Sequence, residues 1–456
     1  MSNKQILADD NLKRLLFKLS LPAMTGMFVM ALYNVIDTIF IGRSVGALGI
    51  AGLSIVFPIQ MIVMAVGQLL GIGGASVVSR RLGENNIEQA KKVLGTVYTS
   101  VIILSLLITL SALIFKTQLL QLFGASTAIL PFAQDYYEII IFSTILFVTG
   151  MTSNNLVRAE GHAKIAMISM LIGAGMNILL DPIFIFVLNM GIKGAAWATV
   201  ISQFLSVIYV ISFINGKDSI LSIEIKNLKI KLSILKQVFA IGISSFMRNV
   251  AGSFVFILFN RALGVYGGDL AIAAYGIVQR FLRFLVLPTI GIAQGLQPIA
   301  GFNFGAREFD KVKTVAKLAT LWATALTVLA FIISEAAPRQ MMMIFTDSPE
   351  LIDVGANAMR LIMLMVPVVG FNIVLTSLFQ ALGKVIPSLI LSMSREIIFL
   401  IPAILIMPQF LGLNGIWLSM PISDLLSFIL SLSFYYRLTR ELNVSHANET
   451  VLRKAE

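Results

Sequence analysis

Long apolar stretches alternate with short polar segments along nearly the whole chain. An apolar stretch of about 20 residues or more is long enough to cross the hydrocarbon of a bilayer as an α-helix. Twelve such stretches lie near residues 17–41, 48–77, 93–115, 132–156, 165–188, 192–214, 236–263, 271–300, 314–336, 355–382, 387–407 and 412–436. The pattern predicts twelve membrane-spanning helices, called spans 1 to 12 below. Spans 2 and 8 are long and contain glycines such as Gly73 and Gly295, where we expect a kink or a tilt.

The sequence contains an internal repeat. Residues 17–161 reappear at residues 239–383 with an offset of 222, so that Phe17 matches Phe239 and Lys91 matches Lys313. Secondary transporters are commonly built from such a doubled bundle, with the substrate path between the halves. Because each half has an even number of spans, both halves start on the same side of the membrane. The axis that relates them then runs along the membrane normal.

The spans and the repeat together predict the fold class and the domains. We expect an all-α integral membrane protein with twelve transmembrane helices in two six-helix bundles related by a pseudo-twofold axis. Residues 1–214 would form the N-lobe, residues 236–440 the C-lobe, and residues 441–456 a cytoplasmic tail. Residues 215–235 would be a cytoplasmic linker, in which the spacing of lysine, isoleucine and leucine suits an amphipathic surface helix.

The composition agrees with a protein solvated by lipid and excludes several kinds of chemistry. Hydrophobic residues make up 57% of the chain and charged residues 12%, whereas a soluble protein carries about 25% charge. There is no cysteine, and the two histidines, His162 and His446, lie in a loop and in the tail. Disulfides, thiolate catalysis and a cysteine- or histidine-based metal centre are therefore not expected. No phosphate-binding loop of the Walker form occurs, so ATP is not an expected partner.

The positive charges follow the loops rather than a basic domain. The net charge of +11 alone could indicate a nucleic-acid partner. However, 25 of the 34 lysines and arginines lie at the N-terminus, in every second loop or in the tail, and five lie in the opposite loops. Cytoplasmic loops carry such an excess of positive charge. We therefore expect a multi-pass protein of the cell inner or plasma membrane, with both termini cytoplasmic and no nucleic-acid partner.

Few ionisable residues interrupt the spans, and each is costly to bury, so each is a candidate for function. In the first half these are Asp37 on span 1 and Asp181 on span 5. Asn177 lies one helical turn before Asp181, and Thr199 lies on span 6. Counted at 1.5 Å per residue, Asp37, Asp181 and Thr199 all lie roughly 6–10 Å below the outer ends of their helices. The shared depth predicts that their oxygen atoms form one cation site.

The residue types at this predicted site suit two different cations. Carboxylate, amide and hydroxyl oxygens are hard ligands that suit Na⁺, whereas two neighbouring carboxylates in a low dielectric suit H⁺. A purely structural interpretation is also open, in which Asp181 caps a helix break beside Pro182 and Asp37 pairs with a nearby donor. The repeat favours a specialised site over a structural role. In the second half Asp37 matches Phe259 and Asp181 maps near Ala403, so the carboxylates are not shared by both halves.

The second half has its own polar residues within or near the spans. These are Arg248, Asn249, Arg280, Arg283, Arg360, Arg395, Glu396 and Asp424. Arg395 and Glu396 are expected near a cytoplasmic helix end, with snorkelling or local pairing as the simplest interpretation. Arg280 and Arg283 could pair with Asp424 or Glu396, and Asp424 could equally line a cavity.

An adaptable apolar surface is a further hint about the substrate. The chain has 21 methionines, and flexible methionine side chains suit varied greasy ligands, although most of them are expected to face lipid or the core. The candidate lining residues for a substrate cavity are Met27, Met30, Asn34, Met61, Asn154, Arg283 and Asp424.

Several motifs together resemble one transporter family over about residues 12–440. They are Leu21-Pro22, Asn34-Val-Ile-Asp37-Thr-Ile-Phe-Ile-Gly42, Arg158-Ala-Glu-Gly161, Asn177-Ile-Leu-Leu-Asp181-Pro182, Gly194-Ala-Ala-Trp-Ala-Thr199, Gln297-Pro298 and Asn303-Phe-Gly305-Ala306. The chain resembles the multidrug and toxic compound extrusion (MATE) family, in its DinF-like bacterial and archaeal branch. The resemblance implies an antiporter that exports cationic, amphipathic compounds in exchange for Na⁺ or H⁺.

The resemblance also implies roles for single residues. In that branch the cation site lies in the N-lobe and matches Asp37, Asn177, Asp181 and Thr199, and the proline that matches Pro22 is associated with bending of helix 1. Other branches carry acidic residues on helices 7 and 8, and this chain lacks them, which puts a C-lobe cation site in doubt.

We therefore expect a secondary active multidrug efflux antiporter that works by alternating access, as a monomer, without a cofactor other than its coupling ion. It would not be an enzyme, because no nucleophile–base pair is visible. The alternative is a flippase for a lipid-linked saccharide or another anionic lipid, which the arginines of the second half favour and the N-lobe carboxylates oppose.

Overall fold

The computed structural model describes residues 6–455, apart from the side chains of Arg43, Ala47 and residues 445–455. The described residues contain helices and loops only. The first half comprises α1 (Leu12–Val45), α2 (Ala47–Gly83), α3 (Ile87–Ile114), α4 (Lys116–Leu122), α5 (Leu130–Phe142), α6 (Thr144–Ala159), α7 (Ala163–Pro182) and α8 (Gly191–Ile214). The second half comprises α9 (Leu232–Gly305), α10 (Phe309–Ala336), α11 (Pro338–Met343), α12 (Pro349–Met363), α13 (Val366–Ala381), α14 (Val385–Met393) and α15 (Ile401–Ala455).

The number of spans agrees with the sequence pattern. Eight helical stretches of the described chain are long and apolar enough to cross a membrane, and two bent pairs, α5 with α6 and α12 with α13, bring the count to ten. Two of these stretches are double. The backbone leaves helical geometry at Gly268 in α9 and at Gly412 in α15, where φ is 63° and 56°. A left-handed glycine turns the chain at each point, so the described part contains twelve spans and the predicted fold class is confirmed.

The repeat is visible in the backbone as well as in the sequence. Left-handed residues recur at matched positions, as at Gly46 (φ 73°) and Gly268 (φ 63°), and at Gly161 (φ 98°) and Gly383 (φ 72°). The bends inside spans 4 and 10 are also alike, at 53° and 50°. Both halves therefore share one order of helices, breaks and turns.

The chain divides into two compact units. Unit 1 contains Met1–Asp9 and Leu21–Phe246, and unit 2 contains Asp10–Ser20 and Met247–Glu456. The first turns of α1 thus belong to unit 2, and the first turns of α9 belong to unit 1.

Glycines allow these exchanged turns to pack closely within each unit. A Cβ atom at Gly73 of α2 would lie 2.1 Å from the carbonyl oxygen of Val238, and one at Gly295 would lie 2.3 Å from the hydroxyl oxygen of Ser20. Helix α2, for which the sequence predicted a kink or a tilt, runs without a break through Gly73. The glycine serves close approach of two backbones instead.

The linker is not an amphipathic helix. Between the end of α8 at Ile214 and the start of α9 at Leu232, its helical part is one short 3₁₀ turn, Ile225–Asn227. Polar contacts hold this segment to the rest of unit 1. Lys91 Nζ lies 2.8 Å from Glu224 Oε1, and the Thr96 hydroxyl donates to the carbonyl of Lys229 at 3.1 Å. The backbone groups of a non-helical segment need such partners, and unit 1 supplies them.

Glu160 is the buried anchor of the same linker. Its side chain is 1% exposed and accepts hydrogen bonds from the Ser219 hydroxyl at 2.9 Å and from the backbone N–H of Leu221 at 3.0 Å. The N–H of Ile220 also donates to it. Burial raises the pKa of Glu160 to about 7, against these hydrogen bonds, which lower it.

Candidate functional site: a buried pair of carboxylates in unit 1

The four residues of the predicted cation site come together in unit 1. Asp37 belongs to α1, Asn177 and Asp181 to α7, and Thr199 to α8. All four are buried, with exposed fractions of 7%, 1%, 0% and 6%. The structure thus brings side chains of three helices together in one buried site.

Asn177 links the two sides of the site. With its amide oxygen turned towards Thr199, it accepts from the Thr199 backbone N–H and hydroxyl, both at 3.2 Å, and its nitrogen donates to Asp181 Oδ2 at 2.8 Å. This orientation satisfies both ends of the amide, and it places Asp181 as an acceptor beside Thr199.

The two carboxyl groups face each other across the site. Asp37 and Asp181 lie within hydrogen-bonding reach of one another. Asp37 Oδ1 is fully buried and accepts no hydrogen bond from the described residues. Two carboxylates cannot both be ionised at such close range without a compensating positive charge. The site therefore calls for a proton or a metal cation.

A helical irregularity positions Asp181. Pro182 follows it, and the next turn, Ile183–Val187, is a π-helix in which Leu188 N–H bonds to the carbonyl of Ile183 at 2.9 Å. Helix α8 packs directly on this turn, since a Cβ atom at Gly194 would lie 2.7 Å from the carbonyl oxygen of Phe184. The break and the close packing bring Thr199 to Asp181.

Two tyrosines at the site were missed by the sequence reasoning. The Tyr33 hydroxyl is a hydrogen-bond partner of Thr199, and it lies within electrostatic range of Asp37 and Asp181. Tyr136 is 5% exposed, and its hydroxyl is within reach of Gln60. Tyr33 precedes Asp37 by four residues, so the shared helical face could have revealed it. Nothing in the sequence marks Tyr136 on α5.

The donor set suits a monovalent cation better than a multivalent metal. Among the described residues no group of three or more His, Cys, Asp or Glu side chains could hold a metal ion. Two carboxylates with the oxygens of Asn177 and Thr199 could hold Na⁺, and the carboxylate pair alone could hold a proton.

The candidate cavity residues are divided between the units. In unit 1, Met27, Met30 and Met61 are half-buried, and Asn154 is 8% exposed with a side-chain oxygen that has no described partner. Asn34 is exposed and donates to the carbonyl of Met30 in its own helix at 2.6 Å.

The charged residues of unit 2 differ from expectation in position, although the local pairing of Arg395 with Glu396 is present at 3.2 Å. Arg395 lies ten residues into span 11, about 15 Å from its start, and not near a cytoplasmic end. It sits in the π-helical turn Ser394–Leu400, and its Nε donates to Asp424 Oδ1 at 2.5 Å. The expected pairing of Arg280 with these acids is wrong, because Arg280 lies over the ring of Phe345, 5.9 Å from its centre.

Aromatic packing occupies the position that matches Asp37 in unit 2. Phe259 is fully buried and stacks on Tyr275 with ring centres 4.4 Å apart, while Trp417 lies 6.2 Å from it. The carboxylate pair is therefore a feature of unit 1 and not of the shared architecture.

Comparisons with known proteins agree with this architecture. The MatE family model matches residues 22–183 and 245–405, which fall on the two copies of the repeat. The multidrug export protein MepA of Staphylococcus haemolyticus (strain JCSC1435) is 28% identical over 444 residues, which cover 96% of this chain and 97% of that protein. MepA of Staphylococcus aureus (strain MRSA252) is 28% identical over 425 residues, covering 93% and 94%.

Solved structures give the same result. A multidrug resistance MATE family transporter of the MOP superfamily, in an outward-facing conformation, superposes with a TM-score of 0.91 at 26% identity, covering 97% of this chain and 99% of that one. The resemblance of the motifs to the MATE family is thereby confirmed. Since the family model matches most of the chain and both of its halves, the chain belongs to the MatE family and is a membrane transporter, not an enzyme.

Proposed function

We propose that the protein is a secondary antiporter that exports cationic, amphipathic compounds by alternating access, in exchange for a cation bound at Asp37 and Asp181. The observation that carries this proposal is the contact of two buried carboxyl groups, one of which has an oxygen without a donor. Export of several drugs is supported by the MepA relatives, which are named multidrug export proteins.

The energetics of the pair favour binding of one positive charge. Two ionised carboxylates about 4 Å apart repel by about 4 kcal/mol at an effective dielectric constant of about 20. A proton or Na⁺ removes this repulsion, and the amide nitrogen of Asn177 holds Asp181 in place through its hydrogen bond to Oδ2 at 2.8 Å. An ion that binds here from outside can shift the population of the transporter between conformations if it binds one conformation more tightly.

The orientation that the positive charges predict, with both termini cytoplasmic, fits this direction of exchange. The cation site then lies nearer the outer side, where a gradient of Na⁺ or H⁺ directed into the cell would fill it. Compounds would leave as the ion enters.

The test is efflux of a fluorescent cation from proteoliposomes under separately imposed Na⁺ and pH gradients. Asp37→Asn removes one carboxylate and is expected to abolish the response of efflux to the coupling gradient. Asp135→Asn is the matched control, because Asp135 is an aspartate of the same unit that pairs with Lys193 at 3.2 Å on the exposed surface. Gradient-driven efflux that survives Asp37→Asn would overturn the proposal.

A further inference from the structure

Unit 2 contains a second intramembrane polar cluster, next to Tyr275, which stacks on Phe259. Arg248 lies on the first segment of α9 and Arg283 on its second segment, Arg395 and Glu396 lie in the π-helical turn, and Asp424 lies on α15. Glu396 acts electrostatically on Arg248. Tyr275 lies within electrostatic range of Arg283, Arg395 and Glu396. Four spans therefore bring these charges together.

The positive charges of this cluster are only partly compensated. Arg395 is satisfied, since it bonds to Asp424 at 2.5 Å and to Glu396 at 3.2 Å. Arg248 and Arg283 have no hydrogen bond and no carboxylate within 4.0 Å among the described residues. Three guanidinium groups thus meet two carboxylates, which leaves one positive charge in excess.

The cluster lies far from the ends of its helices. At 1.5 Å per residue, Arg248 is about 24 Å from the start of α9, and Asp424 is about 18 Å from the break at Gly412. A guanidinium at such a depth is costly, and it normally faces a partner or a water-filled cavity. Side chains of Arg395 and Glu396 remain 29% and 17% exposed, so the cluster is open at one side.

The repeat shows that the cluster is not required by the architecture. At the matched positions of unit 1, Gly26 stands for Arg248, Leu53 for Tyr275 and Met61 for Arg283. A bundle of the same design therefore packs without these polar groups. The arginines of unit 2 need another explanation than helix packing.

We propose that this cluster is an anion-binding site for the carboxylate, sulfonate or phosphate group of an amphiphilic molecule, with Arg248 as the main contact. The planar guanidinium binds such groups through two parallel hydrogen bonds. The anion would supply the negative charge that the cluster lacks, and Glu396 would limit binding to a single anionic group. The proposal rests on the proposed export function, because it adds zwitterionic compounds to the substrates of the transporter. Binding of the anion itself requires no ion gradient.

The test uses two dyes that differ only in a carboxylate, rhodamine B and its ethyl ester. Their binding to the full chain in phosphatidylcholine nanodiscs is measured by fluorescence polarisation. Wild type is expected to bind the carboxylate form about tenfold more tightly, a difference of about 1.4 kcal/mol. Arg248→Gln should remove this preference and leave the affinity for the ester unchanged, whereas Arg248→Lys should keep part of it because the charge remains.

The matched control is Arg280→Gln, because Arg280 is an arginine of the same unit that lies over Phe345. An equal loss of affinity for both dyes in Arg248→Gln, or the same change in Arg280→Gln, would overturn the proposal. A preference retained in both Arg248 variants would overturn it as well.

Two further arms separate the source of the anion and the two proposals. If phosphatidylglycerol in the nanodiscs weakens rhodamine B binding to wild type but not to Arg248→Gln, the site is supported and its ligand is a lipid headgroup. If phosphatidylglycerol has no effect, a preference for rhodamine B that depends on Arg248 supports an anion site whose ligand is a free amphiphile. Asp37→Asn should keep the preference for the dye with the carboxylate. A failure of the cation-coupling proposal would therefore not affect the test of the anion site.

Discussion

Docking of the linker on unit 1 should weaken as the pH rises, because it depends on the buried side chain of Glu160. The carboxyl has a pKa of 4.5 in water and about 7 in the docked state, where burial disfavours the charged form. The docked state therefore binds the proton more tightly than the undocked state. Its stability is fully present below about pH 4.5 and is lost as the pH rises to about 7.

The size of the effect follows from the two pKa values. At about 1.4 kcal/mol for each pKa unit, the shift from 4.5 to about 7 costs the docked linker about 3.5 kcal/mol across this range, or about three hundredfold in its equilibrium constant. The second anchor, Glu224, does not titrate in the same range, since its hydrogen bond with Lys91 lowers its pKa to about 2. The pH dependence therefore reports on Glu160.

Hydrogen exchange of the amides of residues 219–221 measures this docking, after correction for the pH dependence of chemical exchange. Wild type should lose protection between about pH 4.5 and about pH 7. Glu160→Gln keeps oxygen and shape but cannot ionise, so its protection should stay near the low-pH level of wild type. The same pH dependence in both proteins would refute the reasoning.

Two further predictions concern packing and buried charge. Gly242→Ala should lower the melting temperature in detergent, at a cost of about 1–3 kcal/mol, because its Cβ would lie 1.9 Å from the carbonyl oxygen of Leu69. Gly252→Ala, on the same helix with nothing within 4 Å, should instead be neutral or stabilising, and a loss as large as that of Gly242→Ala would contradict the packing argument. Asp424→Asn should destabilise the protein by about 3 kcal/mol, since it removes the buried carboxylate that pairs with the half-buried Arg395. Replacing Arg395 by Met together with Asp424 by Leu should recover most of this loss. A double variant that is less stable than Asp424→Asn would show that the ion pair is net stabilising.

The number and class of the helices could be predicted from the sequence because a bilayer imposes its thickness on every apolar stretch. The repeat could be predicted for a different reason. Matched residues of the two halves, such as Lys91 and Lys313, are separated by the same number of residues over a long part of the chain. That Asp37, Asp181 and Thr199 come together could be predicted from their similar distances to the helix ends. Their role in ion binding stays a prediction.

What the sequence could not supply depends on the rotation of helices and on long-range contacts. The π-helical turns beside Asp181 and at Arg395 shift the face that each following residue presents, so the pairing of Arg395 with Asp424 was not visible in the spacing. Tyr136 reaches the site only through packing of α5. The linker looked helical by its pattern, but the buried Glu160 and the polar contacts of unit 1 hold it in an extended form.

The measurement that tests the central claim most directly is ion movement driven by substrate. Proteoliposomes loaded with a fluorescent cation are diluted into medium without it, and uptake of ²²Na⁺ and the internal pH are followed without any imposed ion gradient. The account predicts that outward movement of the cation drives inward movement of Na⁺ or H⁺, and that Asp37→Asn and Asp181→Asn uncouple the two. Efflux of the cation with no counter-movement of either ion, or equal counter-movement in the Asp37→Asn protein, would contradict it.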